Sequence, residues 1–273
     1  MSSAAPFDRR AIRAHRARAA PGFAKHDFLV RESARRLAER LVELSGPFPR
    51  ALDLGCHTGE LADAISGVAG IENIVLADAS PVMASKAHAD ATNVLVAEEE
   101  LLPFAPAVFD AALSCASLHC VNDLPGTLSQ VRRALKPGGL LLASFPGGET
   151  LRELRTALME VDSAFGGGQQ PRVSPFVDVR DAGDLLARAG FVRPVADIDT
   201  VIASYTDALQ LMRDLRGMGE SNAHRDRLRS FTGRARLLGA AESYAAAEAG
   251  PDGRIPATFQ IVTLTAWAPE TNG

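Results

Sequence analysis

The stretch from Ala51 to Gly59, ALDLGCHTG, constrains the fold more than any other part of this chain. A short apolar strand runs there into a turn with two glycines, and a helical pattern follows. A second apolar segment ends about 20 residues later at Asp78. This order of strand, glycine turn, helix and acidic strand end is typical of a nucleoside-binding crevice in a parallel α/β sheet. Gly55 and Gly59 would let the backbone approach a ligand where a Cβ atom would collide.

The acid at Asp53, just before the first glycine, indicates which nucleoside the crevice would bind. A carboxylate there would repel a pyrophosphate, whereas it would attract a cationic sulfonium amino acid with a free ammonium group. The sequence therefore favours S-adenosylmethionine (SAM) over a nicotinamide dinucleotide. In this interpretation Asp53 contacts the methionine ammonium through water, and Asp78 accepts hydrogen bonds from the ribose hydroxyls.

Charge and composition exclude several classes of function. The 273 residues carry 29 basic and 33 acidic side chains, a net charge of −4, and 5% aromatic residues, which argues against a dedicated nucleic-acid binder. No apolar run reaches the ~18 residues that span a bilayer, so we expect no stable membrane insertion. Three cysteines fit a reducing compartment, which would be the cytoplasm of a bacterium or the mitochondrial matrix of a eukaryote. Residues 1–25 are rich in arginine like a transit peptide, but a solvated amphipathic helix is the preferred interpretation.

Short apolar segments alternate with helical patterns along the first half of the chain, which predicts parallel βαβ units. We expect a doubly wound, mostly parallel α/β sheet of about seven strands, the last one antiparallel, with a helical lid. One domain would cover residues 1–273, with a helical segment at 1–49, a SAM-binding core at 50–146 and the remaining strands and lid at 147–273. The predicted strands are 51–54, 73–77, 93–97, 109–114, 140–145, a strand within 191–202, and 258–266. The predicted helices are 27–44, 60–66, one opened by Ser80-Pro81, 124–135, 149–165, 179–189, 205–216 and 235–249.

Further candidate cofactor contacts follow the second and third strands. Ala79 and Met83 lie beside a helix start at Ser80-Pro81, and one carboxylate of the run 98–100, Glu98, is expected to accept from an adenine amino group. The remaining candidates in the crevice are Cys56, Glu99 and Ser114. Taken singly, these features have plainer interpretations as a tight connection, a helix cap and a solvated charged loop.

As a set, these motifs resemble the class I SAM-dependent methyltransferases over roughly residues 50–146. Over nearly its full length, the chain more closely resembles the mitochondrial complex I assembly factor 5 family and its bacterial relatives. The segments that carry it are 7–9, 117–119, 121–125, 147–151, 173–176, 217–222 and 256–260. This resemblance implies the methyltransferase fold and a link to arginine hydroxylation on a complex I subunit. The chain is more distantly similar to the malonyl-carrier-protein methyltransferase of biotin synthesis.

One position departs from the family pattern, because His57 stands where the glycine turn normally has another glycine. Its side chain would either crowd the methionine end of SAM or point outward at no cost. The backbone of such a turn can have positive φ, and histidine is among the non-glycine residues enriched there. The topology also predicts that the Cys56-His57 loop lies close to Cys115, His119 and Cys120. Those side chains offer zinc or iron ligands, although buried packing is the preferred interpretation for the cysteines and no metal is assigned.

His119 is the candidate catalytic residue, since the loop after the fourth strand borders the transferable methyl in this fold class. It would act as a base near neutral pH or serve as a structural histidine. The loop at 217–222 predicts a mobile gate or a substrate contact. The expected function is methyl transfer to a small carboxylate, a carrier-bound acid or a protein side chain. The alternatives are an arginine hydroxylase that assists complex I assembly and a non-catalytic assembly chaperone that keeps SAM as a structural ligand.

Overall fold

The computed structural model describes residues 5–87, 93–165, 171–174, 179–229 and 232–270. Its seven-stranded sheet has the order β3-β2-β1-β4-β5-β7-β6, in which β1 to β5 run parallel and β7 runs antiparallel between β5 and β6. The predicted doubly wound sheet with an antiparallel last strand is therefore confirmed. The strands are β1 (Arg50–Leu54), β2 (Asn73–Asp78), β3 (Val94–Val96), β4 (Phe109–Cys115), β5 (Leu135–Pro146), β6 (Val192–Tyr205) and β7 (Ile255–Trp267).

The described helices lie on both faces of the sheet and beyond its strand ends. They are α1 (Arg9–Ala19), α2 (Phe28–Glu43), α3 (Glu60–Ile65), α4 (Pro81–Lys86), α5 (Leu124–Ala134), α6 (Arg152–Ala164), α7 (Val179–Arg188), α8 (Ala208–Gly217) and α9 (Arg234–Glu248). Short 3-10 segments follow at Ala20–Lys25, Val68–Gly70 and Leu118–Cys120. No described helix has the length and apolarity to cross a membrane.

Local sequence explains where several of these helices begin. Asp123 accepts from the Gly126 amide ahead of α5, and Ser80 accepts from the Met83 amide ahead of α4; both helices have proline in the first turn. The boundaries predicted for β5, β6 and β7 were too short. Pairing with a neighbouring strand extends them: β6 pairs with β7 over the whole stretch from Val192 to Tyr205. Residues 166–170, and Pro175 and Phe176 of the resemblance, lie outside the described residues.

The core has a layer on each face of the sheet and a third cluster beside it. On one face, α2 packs Leu37 and Leu41 against the sheet, and on the other α5 packs Leu128. The third cluster joins α6, α8 and α9 to β7 through residues such as Tyr244 and Phe259. These are the helices expected as a lid, and they enclose a cavity beside the carboxyl end of β5.

The N-terminal segment forms the expected amphipathic helix, but the helix is solvated on one side only. Helix α1 packs across the carboxyl ends of the strands and buries Ile12, Arg16 and Ala19. Phe7, ahead of it, is buried and pairs by a backbone bridge with His224. Arg9, Arg13 and Arg16 of the helix meet acidic side chains, while Arg10 and Arg18 are exposed.

Candidate cofactor and substrate site

The turn after β1 has the backbone that the glycines predicted. Gly55 has φ +75° and Gly59 has φ +106°, both in the left-handed region that favours glycine. The amide of Gly55 donates to the Ala77 carbonyl at 2.7 Å, which ties the turn to the end of β2. A Cβ atom on Gly55 would lie 2.1 Å from the Ser117 Oγ. The turn therefore tolerates no side chain at this position.

Gly55→Ala is expected to destabilise the protein by about 2–4 kcal/mol, because the added methyl group combines positive-φ strain with overpacking. Denaturant unfolding of the variant checks this value. Gly67→Ala is the matched control, since Gly67 also has positive φ but no heavy atom within 4 Å of its Cβ position. Equal losses of unfolding free energy in the two variants would show that backbone strain alone, and not the Ser117 contact, causes the destabilisation.

Asp78 ends β2 at the mouth of the crevice and is fully buried. Its Oδ1 accepts from the Ser80 amide at 2.7 Å and its Oδ2 from the His57 amide at 3.1 Å. These bonds fix the carboxylate between the glycine turn and the start of α4. Ala79 and Met83, two other candidates, are buried beside it.

Asp53 is buried under the glycine turn, and neither of its carboxylate oxygens accepts a full hydrogen bond from the described part of the chain. Burial, followed by the facing carboxylates of Glu60 and Asp78, raises the pKa of Asp53 well above its usual value, and the nearby Ala62 amide lowers it only in part. A buried carboxyl group without a strong partner is costly. A ligand ammonium would supply the missing counter-charge, so this site fits the methionine end of SAM.

Asp53→Asn is expected to stabilise the free protein near pH 7 and to weaken SAM binding. The raised pKa means that wild-type stability falls as pH rises from the unfolded pKa toward the folded one, and asparagine removes that loss. Thermal unfolding of both proteins at pH 5 and pH 8 measures this, and the gain should be larger at pH 8. A variant that unfolds at a lower temperature than wild type at both pH values would contradict the assignment.

The acidic run after β3 differs from the prediction that only one carboxylate is engaged. Glu99 is fully buried; its Oε1 accepts from Ser117 Oγ at 2.8 Å and from Arg16 at 3.1 Å, and its Oε2 contacts Arg9. Glu98 is about one-third exposed and bonds to Arg9 and Arg13. Burial raises the pKa of Glu99, but Arg16 and then Arg9 outweigh it and lower the pKa to about 2.

Arg16 is a site residue that the sequence analysis missed. Its side chain is 1% exposed, and its guanidinium lies 3.1 Å from Glu99 and 3.7 Å from Asp78. The sequence does contain a signal for it, because the spacing of Arg9, Arg13 and Arg16 places three cations on one helix face. Their partners are distant in the sequence, so the spacing alone did not distinguish this face from a solvated one.

His57 neither points outward nor meets the metal ligands considered for it. Its φ is +50°, its ring stacks on Phe23 at 5.6 Å between centroids, and its Nε2 lies 3.1 Å from the Cys115 carbonyl oxygen. The predicted closeness of the two loops is thus confirmed. Burial raises the pKa of the Cys56 and Cys115 thiols, which pack as small neutral groups. Ser114 donates to the Leu54 carbonyl at 2.7 Å and joins β4 to β1.

His119 faces the other side of the site, where its Nε2 lies 2.9 Å from Glu220 Oε2. Burial lowers the pKa of His119, but Cys120 and the Glu220 carboxylate raise it to about 10. The raised pKa favours the protonated ring, which donates a proton or holds an anion, over the neutral ring that would act as a base. Within the described residues, ligand atoms of His119, Cys120 and Glu220 lie within 4.8 Å of one another, a spacing that suits a metal ion.

A cavity of about 540 Å³ lies beside this pair, between α6, α8 and the 217–222 loop. Its wall is largely apolar, with Leu154, Met212 and Leu215, and Glu220 lines it on the side of His119. Cationic groups that line it are Arg172, Arg216 and Arg227, and His15 lines it as well. The 217–222 loop therefore lines a cavity in which it could contact a substrate, while the mobility expected of the loop stays a prediction.

Comparison with known proteins places these features in a family. Residues 52–143 match the model of the methyltransferase domain. The mitochondrial arginine-hydroxylase NDUFAF5 of Danio rerio is 40% identical, over 90% of this chain and 76% of its own length. The malonyl-[acyl-carrier protein] O-methyltransferase of Xylella fastidiosa is 33% identical, over 96% of this chain and 89% of its own length.

Solved structures show the same fold. The YcgJ protein of Bacillus subtilis superposes with a TM-score of 0.60 at 14% identity, over 86% of this chain and 99% of that one. At such identity the likeness extends to the fold alone. The strand order, the glycine turn with its two carboxylates and these full-length relatives show that the chain belongs to the class I SAM-dependent methyltransferase family, in the group that contains NDUFAF5 and the malonyl-[acyl-carrier protein] O-methyltransferases.

Proposed function

We propose that this protein binds SAM at the carboxyl ends of β1, β2 and β4 and transfers its methyl group to an acceptor held in the 540 Å³ cavity. The observation that carries the proposal is the pair of buried carboxylates, Asp53 beneath the turn and Asp78 at its mouth. Asp53 lacks a strong partner and therefore suits an ammonium group. Asp78 ends the second strand, where this fold presents a carboxylate to a ribose.

Each residue has a role set by its position. Asp53 holds the ammonium, Asp78 the ribose hydroxyls and Glu98 the adenine amino group, while Gly55 and Gly59 leave room for the ligand. SAM when bound supplies an electrophilic methyl on a cationic sulfur. The protein's contribution is then mainly to orient the acceptor in line with that methyl and to exclude water.

The cavity indicates an acceptor with an apolar chain and an anionic end. Its apolar wall suits an acyl chain, and the cationic edge suits a carboxylate. Arg172 pairs with Asp162 and Arg227 with Asp8, whereas Arg216 is exposed at the rim. Similarity to the malonyl-[acyl-carrier protein] O-methyltransferases supports a carrier-bound acid, and a carboxylate acceptor needs no base, in keeping with a protonated His119.

Arginine hydroxylation on a protein partner, as part of complex I assembly, is the second candidate. It is favoured by the higher identity to the arginine hydroxylases, 38–40% in four vertebrates, and by the His119, Cys120 and Glu220 group, whose ligand types suit zinc or iron. Glu220 would also meet a guanidinium in the cavity. Metal analysis of protein purified without a histidine tag, with Cys120→Ser as control, tests that group.

The decisive experiment offers the purified protein SAM, in air with iron(II) and a reductant, together with either a malonyl-loaded carrier protein or the complex I subunit, and follows acceptor mass. A gain of one methylene group in the carrier-bound acid supports the main proposal. A gain of one oxygen atom in an arginine supports the second candidate and contradicts the first. A stable complex with unchanged mass would point instead to a non-catalytic chaperone.

A further inference from the structure

Strand β6 forms one edge of the sheet, since it pairs with β7 and with no other described strand. Its 14 residues exceed the usual strand length of about 3–10. Along the outer side of an edge strand, every second residue points its backbone N–H and C=O groups away from the sheet. Such an edge is a template for a further strand unless proline, a bulge or charged side chains block it.

The two ends of this edge are blocked. At the start, Pro194 lacks an N–H group and the preceding Arg193 has φ +51°, within a shift of the β6–β7 register. At the end, Arg254 donates to the carbonyl oxygen of Ser204 at 2.6 Å. The open stretch between them, residues 196–203, contains neither proline nor lysine and pairs with β7 in regular register. Its outer backbone groups are therefore suited to pairing with another strand.

One face of the open stretch carries exposed apolar side chains. Ile198 is 40% exposed and Ile202 is 65% exposed, although isoleucine is among the residue types most often buried. Thr200, between them, is exposed as well. Helix α7 lies against the same face at Ala196, where a Cβ atom on Gly183 would come 3.8 Å from the Ala196 side chain. The two isoleucines thus form an apolar surface that the described part of the chain leaves exposed.

The pattern of this face is symmetric about Thr200, because the two isoleucines lie two residues before and two residues after it. When two copies of the strand pair antiparallel with a two-fold axis at Thr200, Ile198 of each copy faces Ile202 of the other. Cross-strand pairs of this kind are the contacts that stabilise antiparallel sheets. An axis at Asp199 or Val201 would instead place isoleucine against threonine. A second copy of this chain therefore supplies the complement to the strand's own pattern.

Charges on the opposite face of β6 are complementary in the same arrangement. Arg36 of α2 lies 3.3 Å from Asp199, and Arg40 donates to Asp197 at 2.8 Å. With the axis at Thr200, the Asp199 residues of the two copies occupy diagonal positions about 7–8 Å apart, a spacing that a long side chain spans. Each Arg36 then meets one carboxylate of its own chain and one of the other copy, so the four charges alternate in sign.

We propose that β6 pairs with β6 of a second copy, antiparallel about Thr200, and joins the two seven-stranded sheets into one. Because β6 runs parallel to β1 to β5, the carboxyl ends of the parallel strands in the two copies face opposite edges of the joined sheet. Each copy therefore keeps its own crevice and cavity, and the dimer does not depend on the cofactor. The contact is narrow, so the dimer dissociates on dilution.

Sedimentation velocity of the wild-type protein over about a hundredfold range of concentration tests the dimer. The mass is expected to rise from that of one chain toward that of two. Ile202→Lys places a charge on the open edge, as natural edge strands do, and should stay monomeric throughout. Val42→Lys is the matched control, since Val42 of α2 is 69% exposed and lines a groove with α3, and it should match wild type. A wild-type protein that is monomeric at every concentration, or an Ile202→Lys variant that associates like wild type, would overturn the proposal.

Cysteine substitution tests the position of the axis. The three native cysteines are buried, so Thr200→Cys introduces the one exposed thiol. Two residues on the axis face each other directly, and copper phenanthroline is expected to link Thr200→Cys into a disulfide dimer. Ser204→Cys is the control, because Ser204 is exposed on the same face but is opposite Ala196 of the other copy. Equal linkage of both variants would overturn the register. Linkage of neither, at concentrations where wild type is dimeric, would place the contact elsewhere and overturn β6 pairing.

Discussion

Asp78→Asn is expected to weaken binding of SAM and S-adenosylhomocysteine (SAH) by at least about a hundredfold while the fold is retained. Hydrogen bonds to a charged group contribute about 1.5–3 kcal/mol each, and an amide cannot accept from both ribose hydroxyls as a carboxylate does. The variant keeps the shape of the side chain and one acceptor oxygen for the neighbouring amides. Calorimetric titration with SAH measures the loss.

Asp110→Asn is the control for this variant. Asp110 is also a strand aspartate, but it lies at the start of β4, where it accepts from Lys136 and from the Arg50 amide, away from the crevice. Unchanged affinity in Asp78→Asn would remove Asp78 from the cofactor site.

Glu99→Ala is expected to lower the free energy of unfolding by about 3–5 kcal/mol at pH 7, because it leaves the buried guanidinium of Arg16 without its main partner. The effect should depend on pH. The folded pKa of Glu99 is lowered to about 2, so its stabilising contribution is full above the ordinary value near 4.5 and is lost as pH falls toward 2. Urea unfolding of both proteins between pH 7 and pH 3 gives the difference.

Glu100→Ala provides the comparison. The neighbouring Glu100 accepts from the part-buried amide of Asn122 and the exposed amide of Asp123 and lies 3.5 Å from the partly exposed Arg9, so its loss should cost about 1 kcal/mol or less. A loss in Glu99→Ala no larger than that of Glu100→Ala, or one that does not shrink in acid, would show that the buried pair with Arg16 does not stabilise the fold.

The fold class and the shared sheet edge of two carboxylates were predictable because they follow from local rules. Carboxyl ends of parallel strands meet at one edge of a sheet, so Asp53 and Asp78 were placed together by sequence position alone. The sharp turn at Gly55 was also predictable, because positive φ favours glycine. The ends of β6 and β7 were not, because pairing between the strands lengthens both beyond their apolar runs.

The side chains of the site were harder to assign. Glu99 looked like one member of a solvated acidic run, yet it is fully buried while Glu98 stays partly exposed. The difference in burial depends on which of the two carboxylates contacts Ser117 and Arg16. The position of a residue within a loop does not determine which contacts its side chain makes. His119 was assigned as a base from its place in the loop after β4, and no sequence signal indicated that Cys120 and Glu220, the latter 2.9 Å from its ring, would raise its pKa.

Fold class, the glycine turn and the two strand-end carboxylates can be read from the amino-acid sequence, since each depends on backbone conformation or on residues within one βαβ unit. The contact of Arg16 with Glu99, 83 positions away, and that of His119 with Glu220, 101 positions away, become visible only in the folded chain. Ion pairs between such distant segments leave no local pattern. A helix face rich in arginine has the same sequence whether it is bound to water or to buried acids.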